Sequence, residues 1–288
     1  MITPARAPEN QATSKAGRAI DRTRRALTCT LVGSPLVGRA AAAAPAKTQR
    51  VPILVFHRFA ETMADSMTLR IANFESQLRM LESRNCHVIP LSDWVAWRLA
   101  LASGDAAPLP ARAVVLTADD GHRSQFEAMA PALRERSWPV TLFVYPSAIS
   151  NASYAMTWPQ LRELAADPLV SVQSHTLWHP NLVRERGRMA PQAFRRFVAD
   201  QLTRSRDTLE QKLAHPVTLL AWPFGLSDEG LAAQAAEAGY RSAFSLGNRS
   251  AGPADPLYAV PRHLIVDSVD ASQLAARLEA AFANGMAS

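Results

Sequence analysis

Two acids and two histidines carry the reactive chemistry of this sequence. Asp119 and Asp120 are adjacent and precede Gly121, while His175 and His179 are four residues apart and precede Pro180. Two neutral imidazoles and one carboxylate make a three-ligand set for one catalytic divalent metal, with positions left for water and substrate. Zinc is the default ion for that set, and Co, Ni or Fe also accept it. Consecutive residues at a strand end point in different directions, so one aspartate can bind metal while its neighbour faces the water. Pro180 stiffens the histidine loop. Either pair alone is ambiguous, because Asp-Asp-Gly after a strand is ordinarily a turn and His-x-x-x-His is often two unrelated histidines.

The elements that must position these residues can be read from the apolar pattern. Ala113–Thr117 is a continuous apolar run that leads directly into the aspartates, and Leu169–Gln173 leads into His175. Further strands are expected at Val51–Phe56, His87–Pro90, Val140–Tyr145, Val217–Trp222, Ser242–Leu246 and Leu264–Val266. Helices are expected between them at Asn73–Arg84, Trp94–Leu101, Trp158–Ala166 capped by Thr157, Pro191–Leu213, Asp228–Ala238 and Ala271–Phe282, and Ser124 is placed to cap another that carries Phe126, Met129 and Leu133. Strands alternating with helices imply a parallel sheet with helices outside, and seven or eight such repeats suggest a barrel. In such barrels reactive residues collect where the strands end, which would bring the acids and histidines into one pocket. No GxGxxG follows the first strand, which argues against a dinucleotide-binding fold.

Three ordered motifs resemble those of the polysaccharide deacetylases, the NodB-homology family. Thr117-Ala118-Asp119-Asp120-Gly121-His122 is similar to that family's Thr-Phe-Asp-Asp-Gly-Tyr motif. Ser174-His175-Thr176-Leu177-Trp178-His179-Pro180 resembles its His-Ser/Thr-x-x-His-Pro motif, and Ala221-Trp222-Pro223-Phe224-Gly225 looks like its third. The resemblance runs from about Val51 to Val266, and Pro52–His57 is similar to the entry strand of the poly-N-acetylglucosamine branch. It implies a distorted (β/α)7-type TIM-like barrel in a single domain. It also implies Asp119 as general base and Asp120, His175 and His179 as metal ligands. The backbone near Phe224 would serve the oxyanion, with Trp222, Pro223 and Phe224 at the substrate. The implied reaction is metal-dependent hydrolysis of N-acetyl groups on an acetylated amino-sugar polysaccharide. Peptidoglycan, chitin-like or O-acetylated chains, or a non-catalytic carbohydrate-binding domain of the same fold, are the rival readings.

The sequence departs from the wider family where an Arg would orient the base, since Ala221 occupies that position. The usual acid motif is also absent. His57, at the end of the first strand, is the candidate acid, with a pocket-stabilising histidine as the alternative reading. His263 in Pro261-Arg262-His263 is the second choice. Trp222 and Trp178 lie within the motifs and could stack on a sugar.

Charge and length narrow the rest. The chain has 288 residues, 31 Lys+Arg and 25 Asp+Glu. Seven of those bases and two of the acids fall in residues 1–46, so the remainder is close to neutral. A nucleic-acid binder keeps its basic excess on the folded domain, which excludes that class. Residues 1–46 read as a signal peptide: paired Arg24-Arg25 resembling a twin-arginine signal, a modest apolar stretch, then the alanine run before Pro45. The expected product is a periplasmic or secreted catalytic domain over 47–288 with no stable membrane span. Loss of Cys29 would leave Cys86 without an intramolecular partner.

Overall fold

A computed structural model describes residues 48–286. The segment read as a leader, 1–46, lies outside the described residues. The chain begins with β1 (Ile53–Phe56), a short parallel pair β2 (Arg58–Ala60) and β3 (Thr68–Arg70), α1 (Ile71–Ser83), β4 (His87–Val88) and α2 (Leu91–Ser103). It continues through β5 (Ala113–Asp119), a π-helical turn at Gln125–Met129 that runs into α3 (Ala130–Glu135), β6 (Val140–Val144), α4 (Trp158–Ala165) and β7 (Val170–Ser174). The last part holds α5 (Leu182–Arg186), α6 (Pro191–Leu213), β8 (Leu219–Ala221), α7 (Glu229–Glu237), β9 (Ser242–Phe244), β10 (His263–Leu264) and α8 (Ala271–Met286).

The strands pair in the order β10-β1-β5-β6-β7-β8-β9, all in parallel, and β4 adds to β5. A parallel bridge from Phe244 to Val260 ties β9 to the segment that leads into β10, so the curled sheet meets itself through residues 260–264. This is the α/β barrel expected from the strand–helix alternation.

Side chains alternate across each strand, and two apolar layers result. Leu54, Leu116, Leu142, Val172 and Leu220 face outward against Leu78, Leu133, Leu161 and Leu202 of the helices. Ile53, Val115, Phe143, Leu219 and Phe244 fill the lumen, and α2 closes the end where the strands begin, with Trp94 and Trp97 packed near Val51, Leu109 and Ala113. Trp94 and Phe143 both meet the Phe244 ring, at centroid distances of 6.1 and 5.6 Å. Each such side chain withdrawn from water contributes roughly 1.5–3 kcal/mol. The floor of the barrel is therefore a packed core.

Two local expectations change. The β2–β3 pair and α5 escape the periodicity because they are three to five residues long. Ser124 makes no cap bond; its hydroxyl instead accepts the Phe59 N–H at 2.9 Å and pairs with His122 Nδ1 at 2.8 Å. By contrast Thr157 forms a full capping box with Gln160, and Asp228 caps α7 through the Leu231 N–H.

Candidate catalytic site

Asp119 is the last residue of β5, His57 follows β1 and His175 follows β7, so neighbouring strands deliver all three to one end of the barrel. The Gln125 amide donates to the backbone carbonyls of both His57 and Asp119, which ties those two strand ends together from a fully buried position. Beyond β7 the chain turns through Thr176 and His179, both left-handed at φ 64° and 62°. The His179 N–H donates to Thr176 Oγ1 and the Trp178 N–H to Gln201 of α6, which anchors the loop to a long helix. Asp120 (φ 78°) and Phe224 (φ 59°) are left-handed as well. Non-glycine residues in that region cost about 1–2 kcal/mol each, and such strain tends to persist where the surrounding structure holds a site.

Asp120 Oδ1 lies 3.7 Å from His175 Nε2 and 3.6 Å from His179 Nε2. The three donor atoms fall within 4.8 Å of one another. A tetrahedral zinc with bonds near 2.0–2.1 Å needs donors about 3.3–3.4 Å apart, so this cluster fits such an ion after a small contraction. The tautomer fits too. His175 Nδ1 donates to the Ala221 carbonyl at 2.8 Å, which leaves the Nε2 lone pair for the metal. Burial and the neighbouring His175 hold the His179 imidazole down to about 4, so it is neutral at pH 7, as a ligand must be.

Asp119 lies beside this cluster, its Oδ2 3.9 Å from His175 Nε2. Burial, the largest single influence, would raise its carboxyl, but the Arg262 guanidinium, His175 and the hydrogen bonds from Arg262 together outweigh it, and the group is held at about 2. Arg262 grips it with both arms: Nη1 donates to Oδ1 at 2.8 Å and Nη2 to Oδ2 at 2.7 Å. Nη1 also reaches Thr117 Oγ1, the guanidinium packs 5.3 Å from the Phe143 ring centroid, and the whole side chain is buried. The sequence puts Ala221 where an orienting Arg was expected. The structure supplies that Arg from residue 262, at the far end of the chain. The signal lies in Pro261-Arg262-His263, where the arginine and not the histidine serves the site.

His263 is not at this site. It points to the opposite face of its strand, where Nε2 meets Ser250 Oγ at 3.1 Å. His57 does reach the site. Burial lowers its pKa, opposed by the charges of Asp119 and Asp120, and its Nδ1 has no partner among the described residues. Trp222 must be corrected as a sugar platform. It is fully buried in the layer between sheet and helices, with Nε1 donating to the Tyr258 carbonyl. Pro223 is buried next to it. Among the aromatic rings exposed at the mouth are Phe224, 54% exposed and edge-on to His179 at 4.7 Å, and Trp178, 45% exposed. Gly225 permits this turn, because a Cβ there would sit 2.6 Å from Leu246.

Residues 106–243 match the family model described as polysaccharide deacetylase. Over that stretch the chain is similar to the family. The polysaccharide deacetylase match covers the acid pair, both histidines and the Ala221–Gly225 turn, and leaves His57 and Arg262 outside. The poly-beta-1,6-N-acetyl-D-glucosamine N-deacetylase of Staphylococcus aureus (strain MRSA252) is 22% identical over 200 residues, 68% of this chain and 67% of that protein. Among solved structures, IcaB from Ammonifex degensii aligns at TM-score 0.68 and 21% identity, covering 80% of this chain and 97% of that one. The Streptococcus pyogenes deacetylase PplD in complex with acetate aligns at TM-score 0.67 and 21% identity, over 80% and 98%. These two likenesses show the barrel fold.

Proposed function

We propose that this chain is an exported hydrolase that removes N-acetyl groups from an N-acetylglucosamine polymer of the cell envelope, with one divalent metal, zinc by its ligand set. The carrying observation is a buried carboxylate, held ionised by a bidentate arginine, 3.9 Å from a three-donor cluster. The substrate class rests on the names of the relatives, and the two exposed rings at the mouth suit the apolar face of a sugar.

Asp120, His175 and His179 would hold the metal, which when bound supplies a Lewis acid for the acetamide carbonyl and an acidified water. Asp119 accepts the proton of the attacking water. Both its oxygens keep a lone pair beyond those given to Arg262, so the arginine fixes its direction and its charge together. His57 lies in the field of both carboxylates. It starts neutral, takes the proton that Asp119 drew from the water and passes it to the departing amine, so that both groups end as they began. Removal of residues 1–46 on export would leave 47–288 as the catalytic domain.

The test is acetate release from acetylated β-1,6- and β-1,4-linked glucosamine oligomers, before and after chelation. Release from the β-1,6 series that stops on chelation and returns with zinc is expected. Metal-independent release, or none from any oligomer, would reject the reading. His57→Ala should slow amide cleavage far more than cleavage of an activated ester, whose leaving group needs no proton.

A further inference from the structure

The face of the barrel behind Arg262 holds a second cavity that the proposed reaction leaves unused. It measures about 540 Å³ and is lined by Arg50, Asn248, Arg249, Ser250, His263 and Arg277, with Ala280 and Ala281 of α8 as its apolar wall. Three guanidiniums converge here. Arg249 is held by Asp255 at 2.6 Å, and Asp255 is itself fixed by the Gly252 N–H at 2.7 Å. Arg50 donates to the Ser250 carbonyl at 3.3 Å, and its stem lies so close over Gly252 that a Cβ there would approach it to 3.3 Å. Arg277 has no ion-pair partner among the described residues. Three positive groups thus face one carboxylate, an arrangement that a bound anion would relieve.

A second observation points the same way. His263 is 4% exposed and lines this cavity, yet its Nδ1 is buried with no hydrogen-bond partner. Ser250 Oγ and Nε2 are 3.1 Å apart, and in the tautomer where the hydroxyl donates, Nδ1 carries a proton that has no acceptor. Burial and then Arg277 hold the ring down to about 4, so at neutral pH it is uncharged. Leaving such a group unpaired is costly, and an oxygen from a ligand would satisfy it.

We propose that this cavity binds a multiply charged phosphate-type oxoanion, with Arg50, Arg249 and Arg277 as its cationic clamp and His263 Nδ1 as its buried donor. Planar guanidiniums pair with such oxygens in a fork, and the volume exceeds a single phosphate group, so a chain of phosphates or a phosphate-bearing glycan segment fits it. Arg262 immediately precedes β10 and His263 opens it, and their side chains serve opposite faces. The anion site and the candidate catalytic site therefore share a backbone but no side chain.

The experiment is calorimetric titration of the metal-loaded full chain with inorganic pyrophosphate and, separately, with a short glycerol-phosphate oligomer. Single-site binding is expected, weakened roughly ten-fold or more by Arg277→Gln and by Arg50→Gln, and unchanged by Arg79→Gln on the exposed face of α1. Tighter binding of the oligomer would assign a polymer as the source, and tighter binding of pyrophosphate a free anion. Acetate release should be unaltered in Arg277→Gln. Absence of binding at millimolar concentration overturns the proposal. So does binding insensitive to Arg277→Gln, which would place the anion elsewhere, at the metal cluster for example.

Discussion

The two ends of the barrel are built on opposite principles. The floor is apolar and closed: Trp94, Trp97, Ile53, Val115 and Phe244 pack there, and its stability comes from area withdrawn from water. The mouth contains the buried Asp119–Arg262 pair, the neutral His57 and His179 beside acids, and the left-handed residues Asp120, Thr176, His179 and Phe224. Charge burial and strain are costs, and the same strands bear both ends. The floor and the helix layer stabilise a mouth that could not stabilise itself. Function is placed where local stability is spent.

The sharpest way to break this contrast is at the mouth. Asp119→Asn should lower acetate release by about 10²–10⁴-fold while metal content stays at one per chain, measured by atomic emission. His175→Ala should lose metal and activity together. If Asp119→Asn loses the metal, the roles of Asp119 and Asp120 are exchanged.

The next effect is on stability, and it separates the two ends by its accompaniment. Trp94→Ala should cost about 3–5 kcal/mol in urea unfolding by leaving a cavity in the floor. Arg262→Met should cost a similar amount, about 3–5 kcal/mol, because Asp119 is left buried and unpaired. Activity per folded molecule should be preserved in Trp94→Ala and should collapse in Arg262→Met. Equal activity losses would mean that the floor and the mouth are coupled more tightly than their packing shows.

The smallest effect is a pH dependence. Asp119 has its folded pKa depressed to about 2 from 3.8, so its pairing stabilises the protein fully above the unfolded value and is lost as pH falls through the folded one. The contribution is on the order of 2 kcal/mol at neutral pH. The stability gap between wild type and Asp119→Asn should therefore narrow as pH is lowered from about 5 to about 2. A gap that stays constant across that range would show that the carboxylate is not held by its charge.

The long α6 is found at Pro191–Leu213 as its period predicts, and Thr157 caps α4, because those signals are carried by residues adjacent in the chain. The same is true of Asp119-Asp120 and His175-x-x-x-His179, whose strand-end positions follow from the apolar runs before them. Trp222 misled because a motif gives spacing and not the face a ring occupies, and that ring turned toward the helices.

The sequence by itself determined the alternation of elements and the placement of the candidate ligands at the ends of β5 and β7, since each depends on short-range pattern. Only the tertiary structure decided which arginine holds Asp119. Residues 119 and 262 are 143 positions apart and meet because β1 lies between β5 and β10 in the sheet, a pairing order that no local pattern encodes. It also decided that consecutive residues Arg262 and His263 serve different cavities, because a strand sends neighbouring side chains to opposite faces and only the closed barrel defines what lies on each.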